Sequence, residues 1–190
     1  FEELDACIME EPMKMRGSKV RYWEDVTEGE SLDTIVRGPL SLMDTMGFLV
    51  GSGRGHTHGV VFQNAMKHPG HFFRNPEAGG GIEYTGIGHH RESTAKEVGV
   101  PGVYDYGPQR SSWMASLVTN WMGDDGFLRK SKSQVRRHNP DGDAIFINGT
   151  VTRKFVEDGK HLVEIQQKAE THRGEVSATG AAIVELPSKS

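Results

Sequence analysis

The sequence predicts an α+β domain in which one antiparallel sheet wraps around a single central helix. The first observation is a segment at 108–122 whose apolar residues recur with the 3.6-residue period of a helix. These residues are Trp113, Met114, Leu117, Val118, Trp121 and Met122. The second is that Pro108 suits the first helical position and Gly123 the position just after the last turn. The third is that the pattern after Gly123 is typical of strands, so one helix followed by about four strands favours this architecture.

Turn signals divide the last third of the chain into strands. The dipeptides Asp158-Gly159 and Arg173-Gly174, together with NPDG at 139–142, mark the turns. The strands predicted between them cover residues 127–137, 143–156, 160–171 and 178–186. Because such a sheet has exposed edges, the pattern favours dimerisation.

Less regular elements precede the central helix. Residues 1–18 predict a short helix and a linker, broken by Pro12. Ser41 is expected to cap a helix that has Asp44 at its third position. Short extended segments are predicted at 20–26 and 31–40, and a further helix is predicted at 92–98. We therefore expect an N-terminal arm at 1–19, one domain at 20–187 and a tail at 188–190.

The segment at about 51–88 is rich in glycine and histidine and shows no clear period. A loop of this length inside a domain is usually functional or mobile, so we interpret it as an insertion. Two histidine pairs have spacings that suit metal ligation, and they are His56-x-His58 and His68-x-x-His71. No cysteine or acidic ligand accompanies them, so a metal site is the minor hypothesis.

Composition excludes several classes of function. The chain has 190 residues and a net charge of −4, so a broad basic surface for nucleic acid is not expected. Its apolar runs are too short to span a bilayer. Cys7 is the single cysteine, which excludes an intrachain disulfide and fits a cytoplasmic protein.

Two residues near the start of the central helix are candidates for catalysis. His90 lies on the loop that leads to this helix, and a histidine can act as a general base near neutral pH. The alternative is an ordinary surface histidine, which the residues alone favour. The N–H of Gly107 lies at the positive end of the helix dipole and can stabilise an oxyanion on a thioester. The alternative is a simple turn glycine.

Five segments resemble the MaoC-like dehydratases, a branch of the hot-dog fold. They are RYWEDVTEGE at 21–30, RGPLSLMDTMGFL at 37–49, HRESTAKEVGVPGVYDYG at 90–107, RRHNPDGDAIFINGTVTRK at 136–154 and HRGEVSATGAAIVELP at 172–187. The resemblance implies a hot-dog sheet around the central helix. It also implies the activity of the (R)-specific enoyl-CoA hydratases, in which water adds to or leaves a thioester. Coenzyme A would then be part of the substrate, and no cofactor is expected.

The resemblance also implies roles for particular residues. The family pattern is Asp-x-Asn-Pro-x-His-x-Asp, in which His90 matches the histidine and Glu92 the second acid. Gly107 matches the glycine whose amide binds the thioester oxygen. Thr85 stands where the family has its first aspartate, and threonine cannot replace a carboxylate as a base.

Three interpretations of this replacement stay open. Glu83 or Asp105 supplies the missing carboxylate, or His90 works with a different partner. Otherwise the chain is a degenerate subunit that binds thioesters or supports an active hot-dog subunit. Homodimers and hetero-oligomers both fit the resemblance.

Further residues are candidates for binding an acyl-CoA or an acyl-carrier thioester. Arg136 and Arg137 suit the phosphates of coenzyme A, although a solvated strand edge explains them equally well. Tyr106 is a candidate substrate contact, and Phe72 and Phe73 are candidates for the lining of an acyl pocket. His89 would replace His90 if the register slipped by one residue.

Overall fold

The computed structural model describes residues 2–52, 63 and 66–189. The chain divides into two compact units. The sheet unit comprises Phe1–Pro39, Gly107–Asn139 and Asp143–Ser190, and the hairpin unit comprises Leu40–Tyr106 and Pro140–Gly142.

The sheet unit consists of a five-stranded antiparallel sheet and a long helix. Its helices are α1 (Glu2–Lys14) and α4 (Gly107–Met122). Its strands are β1 (Ile35–Arg37), β4 (Phe127–Val135), β5 (Ile145–Glu157), β6 (Lys160–Thr171) and β7 (Val176–Glu185). The strand order is β1-β5-β6-β7-β4, which confirms the predicted α+β class.

Helix α4 packs on this sheet through the apolar residues that the sequence predicted. Met114, Leu117, Val118, Trp121 and Met122 are buried. Two glycines of the sheet permit the close approach: a Cβ at position 149 would lie 3.1 Å from the Leu117 side chain, and one at position 180 would lie 2.7 Å from that of Met114. The helix begins at Gly107, one residue earlier than predicted.

The predictions for the first forty residues need correction. The segment 20–26 contains a 3₁₀ turn at Trp23–Asp25 instead of a strand, and the indole N–H of Trp23 donates to the Leu162 carbonyl at 3.0 Å. Only Ile35–Arg37 of the segment 31–40 forms a strand, because Pro39 has no N–H to continue the ladder.

The sequence suggested a break at Pro12, but helix α1 is continuous through this residue. It continues to Lys14, and the N–H of Met15 donates to the Glu11 carbonyl at 3.1 Å. Arg37 on β1 also donates to the Glu11 carboxylate at 2.8 Å. This ion pair fastens the last turn of the helix, so the one backbone bond that proline removes is tolerated.

The hairpin unit contains two helices and a small two-stranded sheet. The elements are α2 (Leu42–Gly51), β2 (Phe72–Asn75), β3 (Gly81–Tyr84) and α3 (Glu92–Glu97). Ser41 and Asp44 form the predicted capping box, and α3 confirms the predicted short helix. The hairpin lies in a segment that we predicted to be irregular. The prediction missed it because strands of four residues are too short to show a period.

Short 3₁₀ turns and glycines shape the connections of the hairpin. Asn75 caps the turn at Pro76–Ala78, and Gly79 and Gly80 then adopt positive φ values of 64° and 83°. A further 3₁₀ turn at Ile87–His89 follows β3. The interpretation of 51–88 as an insertion stays a prediction, as do the predicted boundaries of the arm, domain and tail.

The hypothesis of a metal site depends partly on histidines outside the described residues. His56 and His58 lie outside the described residues. Across the described part of the chain, no group of three or more metal-ligating side chains is found. No helix in that part is long and apolar enough to cross a membrane.

Candidate functional site

His90 lies at the junction of two helical turns in the hairpin unit. It directly follows the 3₁₀ turn Ile87–His89, and Arg91 occupies the position just before α3. The N–H groups of His90 and Arg91 both donate to the Ile87 carbonyl, at 2.9 Å and 2.7 Å. Ile87 is only 2% exposed, so this junction is anchored in the interior of the unit.

The imidazole of His90 is half-buried and incompletely satisfied. No described residue forms a hydrogen bond with its buried Nδ1 atom. Burial lowers the pKa of His90, the Glu83 carboxylate opposes this by raising the pKa, and the Arg91 guanidinium lowers it further. The ring is therefore mainly neutral at pH 7 and can accept a proton.

Three polar residues form a connected cluster beside His90. Arg91 donates from Nε to Glu83 at 2.9 Å and also from its second nitrogen, as a bidentate pair. The Asn75 amide donates to Glu83 at 2.7 Å. The hydrogen bond from Arg91 lowers the pKa of Glu83, and although burial opposes this, the bond from Asn75 lowers it again. Glu83 is therefore ionised at neutral pH, which allows it to orient a cation but not to donate a proton.

The register of the hairpin explains why Asn75 and Glu83 meet. Phe73 lies opposite Glu83, and Asn75 is two residues beyond Phe73 on the same strand. Side chains alternate along a strand, so Phe73, Asn75 and Glu83 share one face of the hairpin. The sequence did not reveal Asn75 or Arg91 as site residues. Their contacts with Glu83 depend on the 3₁₀ turns at Pro76–Ala78 and Ile87–His89, which sequence periodicity does not predict. The only signal was the Asn-Pro dipeptide at 75–76, which is typical of such a turn.

The two phenylalanines predicted to line an acyl pocket lie on opposite faces of the hairpin. Phe72 is opposite Tyr84, and the two rings are in edge contact with centroids 5.8 Å apart. A cavity of about 190 Å³ lies beside them, and its lining comprises Met66, Pro69, Phe72, Phe73, Arg74 and Ile82. Phe72 thus does not share a face with Glu83, whereas Phe73 does.

His89 is packed between the rings of Tyr104 and Tyr106. Its ring stacks on Tyr106 with centroids 3.7 Å apart, and its Nδ1 lies 3.0 Å from the Tyr104 carbonyl oxygen. Tyr106 is 4% exposed and also contacts the Phe48 ring at 6.2 Å. The structure therefore places Tyr106 in the core of the hairpin unit, and its predicted substrate contact stays a prediction.

The carboxylates and the threonine considered for the missing acid differ in their surroundings. Asp105 is 3% exposed, whereas Thr85 is exposed and donates its backbone N–H to the His71 carbonyl at 2.9 Å. Glu92 is also exposed and forms an ion pair with Lys96 one turn along α3. Among these residues, Asp105 is the buried carboxyl group. The match of Glu92 to the second acid of the family pattern stays a prediction.

The remaining candidates belong to the sheet unit. Gly107 is the first residue of α4, and the N–H groups of a first helical turn have no carbonyl partner within the helix. Arg136 follows β4 and contacts the Gln134 side chain, and Arg137 is 64% exposed and pairs with Glu175 at 3.1 Å. The predicted phosphate contacts of both arginines stay predictions.

No family model and no curated protein sequence matches the chain. Solved structures do match its fold. The (R)-hydratase from A. caviae involved in PHA biosynthesis is 13% identical with a TM-score of 0.62, and the match covers 86% of this chain and 99% of that one. The MaoC-like dehydratase from Rhodospirillum rubrum is 14% identical with a TM-score of 0.61, over 90% of this chain and 99% of that one.

A third similar structure is a complex of two different chains. The ChsH1-ChsH2 complex from Mycobacterium tuberculosis gives 12% identity and a TM-score of 0.61, over 85% of this chain and 98% of the matched one. These identities are low, so the similarity concerns the fold. The chain has the hot-dog fold of the MaoC-like dehydratases and (R)-hydratases, as the sequence predicted.

Proposed function

We propose that the chain is a hot-dog hydratase or dehydratase that adds water to an enoyl thioester or removes it from a 3-hydroxyacyl thioester. The observation that carries this proposal is the state of His90. Its ring is half-buried, its Nδ1 has no described partner, and its pKa is lowered. These are the properties of a general base at neutral pH, at the position where the family resemblance places the catalytic histidine.

In the proposed hydration, the His90 imidazole removes a proton from water while the water oxygen forms a bond to C3 of the enoyl group. The C2–C3 π electrons move toward the thioester carbonyl, and the N–H of Gly107 stabilises the resulting oxyanion. C2 then takes a proton from an acid as the carbonyl reforms. Dehydration follows the same steps in reverse.

Asp105 is the proposed second acid. Glu83, the other candidate, is ionised by its bonds to Arg91 and Asn75, so it cannot supply the proton to C2. The carboxyl group of Asp105 is buried two residues before Gly107 in the chain.

The proposed substrate is carried by coenzyme A or by an acyl-carrier arm. Arg136 and Arg137 are proposed to meet the phosphates, with Tyr106, Phe72 and Phe73 near the acyl part. The cavity beside Phe72 is largely apolar in its lining, which suits an acyl chain. A cytoplasmic setting is part of the proposal and rests on Cys7 as the single cysteine.

A second candidate function is a subunit that supports an active hot-dog partner. Thr85 favours it, because it is exposed and carries no carboxylate where the family has one. The similarity to the ChsH1-ChsH2 complex is compatible with pairing of two unlike hot-dog chains. The homodimer is the other proposed assembly.

The test is a hydration assay on enoyl-CoA thioesters of several chain lengths. We compare the wild type with His90→Ala, and we use His68→Gln as a matched control, because His68 is exposed. The proposal expects turnover by the wild type and the control, and a loss of about 100-fold or more in His90→Ala. Absence of turnover with every thioester, or an unaffected His90→Ala variant, contradicts it.

A further substitution separates the two candidate functions. Thr85→Asp restores the carboxylate of the family pattern. Higher turnover in this variant, together with weak turnover in the wild type, supports a degenerate site. Unchanged or lower turnover supports a site that works without that carboxylate.

A further inference from the structure

We propose that Asn75, Glu83 and Arg91 form a clamp that positions His90 and balances the charge beside its imidazole ring. The clamp residues come from β2, from β3 and from the first position before α3. The inference rests on the proposed function, because it assigns a role to residues that support the same histidine. None of the three contacts a substrate in this account, so they are positioning residues.

The ion pair restrains the backbone at His90. Arg91 follows His90 directly in the chain, so fixing the Arg91 side chain restricts the backbone that carries the imidazole. The bidentate pair ties this junction to β3, and the 2.7 Å bond from Asn75 ties the same carboxylate to β2. A bidentate arginine–carboxylate pair fixes orientation more strictly than a single bond does.

The burial of the cluster adds weight to this geometry. The side chains of Arg91 and Glu83 are 29% and 18% exposed, and Asn75 is 4% exposed. Fully exposed ion pairs contribute little and are easily exchanged for water. A partly buried pair with a third, buried hydrogen-bond donor is held in one arrangement, as a positioning device requires.

Glu83 on β3 and Arg91 before α3 are the charged groups of the described residues that act on the His90 ring. Glu83 favours the protonated imidazole, and Arg91 favours the neutral one. The two charges act in opposite directions, and burial is the largest influence, so the histidine keeps the neutral form that burial favours.

The two charges predict opposite changes in the pKa of His90 when each is removed, and simple packing does not. Removing the Arg91 charge leaves Glu83 unbalanced and raises the pKa of His90. Removing the Glu83 charge leaves Arg91 unbalanced and lowers it. If the cluster only kept the histidine buried, loss of either residue would expose the ring and raise its pKa toward the ordinary value of 6.5.

The experiment is an NMR pH titration of the histidine ring protons, with the His90 signal assigned by its absence in His90→Gln. We compare the wild type, Glu83→Gln and Arg91→Met. The pKa of His90 is expected to rise in Arg91→Met and to fall in Glu83→Gln, each by about 0.5 or more. Shifts in the same direction, or no shift in either variant, overturn the proposal.

The chain offers a matched control close to His90. Glu92 and Lys96 form an ion pair on α3 whose side chains are 64% and 60% exposed. Glu92→Gln and Lys96→Met remove the same kinds of charge from a solvated pair. Because water screens exposed charges, the titration of His90 is expected to be unchanged in both.

A conservative variant separates position from charge and also covers the case in which Arg91→Met fails to fold. Arg91→Lys keeps the positive charge but loses the bidentate geometry. The proposal expects an almost unchanged pKa of His90 and a decrease in kcat of about tenfold, with little change in KM. An unchanged kcat in an enzyme that depends on His90 overturns the positioning role.

The titration does not depend on activity, so its failure is distinct from a failure of the proposed function. Opposite shifts in a protein without hydratase activity support the clamp and refute the function. Same-direction shifts in a protein that loses activity with His90→Ala refute the clamp and support the function.

Discussion

The buried guanidinium of Arg110 in the sheet unit and the half-buried imidazole of His90 in the hairpin unit differ in their hydrogen bonds. In the sheet unit, the guanidinium of Arg110 donates to the carbonyls of Arg137 and Ser177 at 2.6 Å and 2.8 Å, and Gln167 donates to the Met114 carbonyl at 2.6 Å. These bonds connect the central helix to its surroundings. In the hairpin unit, by contrast, the buried Nδ1 of His90 has no described partner.

This difference separates stability from chemistry. Polar groups that bond to backbone carbonyls hold elements together and leave no capacity for a ligand. A buried imidazole nitrogen without a described partner is costly, and such groups concentrate at functional sites. We therefore expect substitutions in the sheet unit to change stability, and substitutions around His90 to change proton transfer.

The largest stability effect is expected from Leu117→Ala in the core of the sheet unit. Leu117 is 1% exposed, and removal of its side chain leaves a cavity against the sheet. The free energy of unfolding is expected to fall by about 3 kcal/mol, measured by urea denaturation. The NMR titration of His90 is expected to be unchanged. A shifted His90 titration would break the separation between the two units.

Arg110→Met is expected to have the next largest effect. Arg110 is 1% exposed, and without it the carbonyls of Arg137 and Ser177 lose a donor. A loss of about 2 kcal/mol in the free energy of unfolding is expected. A control is Arg153→Met, because Arg153 is exposed. Equal losses in the two variants would show that burial of the guanidinium carries no weight.

A smaller loss is expected from Ser41→Ala in the hairpin unit. Ser41 accepts a hydrogen bond from the Asp44 N–H, and the Asp44 carboxylate accepts one from the Ser41 N–H at 2.9 Å. Loss of the serine side chain is expected to cost about 1 kcal/mol, measured by urea denaturation. Ser112→Ala, on the exposed side of α4, is the control, and it is expected to change little.

The smallest effect concerns the pH dependence of stability. Burial lowers the pKa of His90 below its ordinary value of 6.5, so the unfolded chain binds this proton more readily than the folded one. The contribution is present above the ordinary value and is lost as the pH falls below it. His90→Gln is therefore expected to lose less stability than the wild type between pH 7.5 and 5.5. An identical or greater loss would contradict the lowered pKa.

The sequence predicted the sheet unit more accurately than the hairpin unit for a physical reason. The central helix has a buried face with a clear period, and β6 at Lys160–Thr171 has the predicted bounds. The hairpin at Phe72–Asn75 and Gly81–Tyr84 is too short for such a pattern. Its structure depends on a capped turn, which sequence periodicity does not report.

The candidate site follows the same division. His90 was identified as a candidate by resemblance, and the structure adds the burial that lowers its pKa. Glu83 was a candidate for the missing acid. Its hydrogen bond from Asn75 depends on the register of the hairpin, and its ion pair with Arg91 depends on the turn after β3, and no pattern in the sequence reports either one. The catalytic assignments of His90, Gly107 and Asp105 stay predictions.

The central claim is that His90 transfers the proton and does so as a neutral base. The most direct measurement compares the pH dependence of kcat/KM for enoyl-thioester hydration with the NMR titration of the His90 ring in the same wild-type protein. Both are expected to follow one pKa, below the ordinary histidine value of 6.5. A ring that titrates at or above that value, or an activity profile that does not follow the ring, contradicts the account.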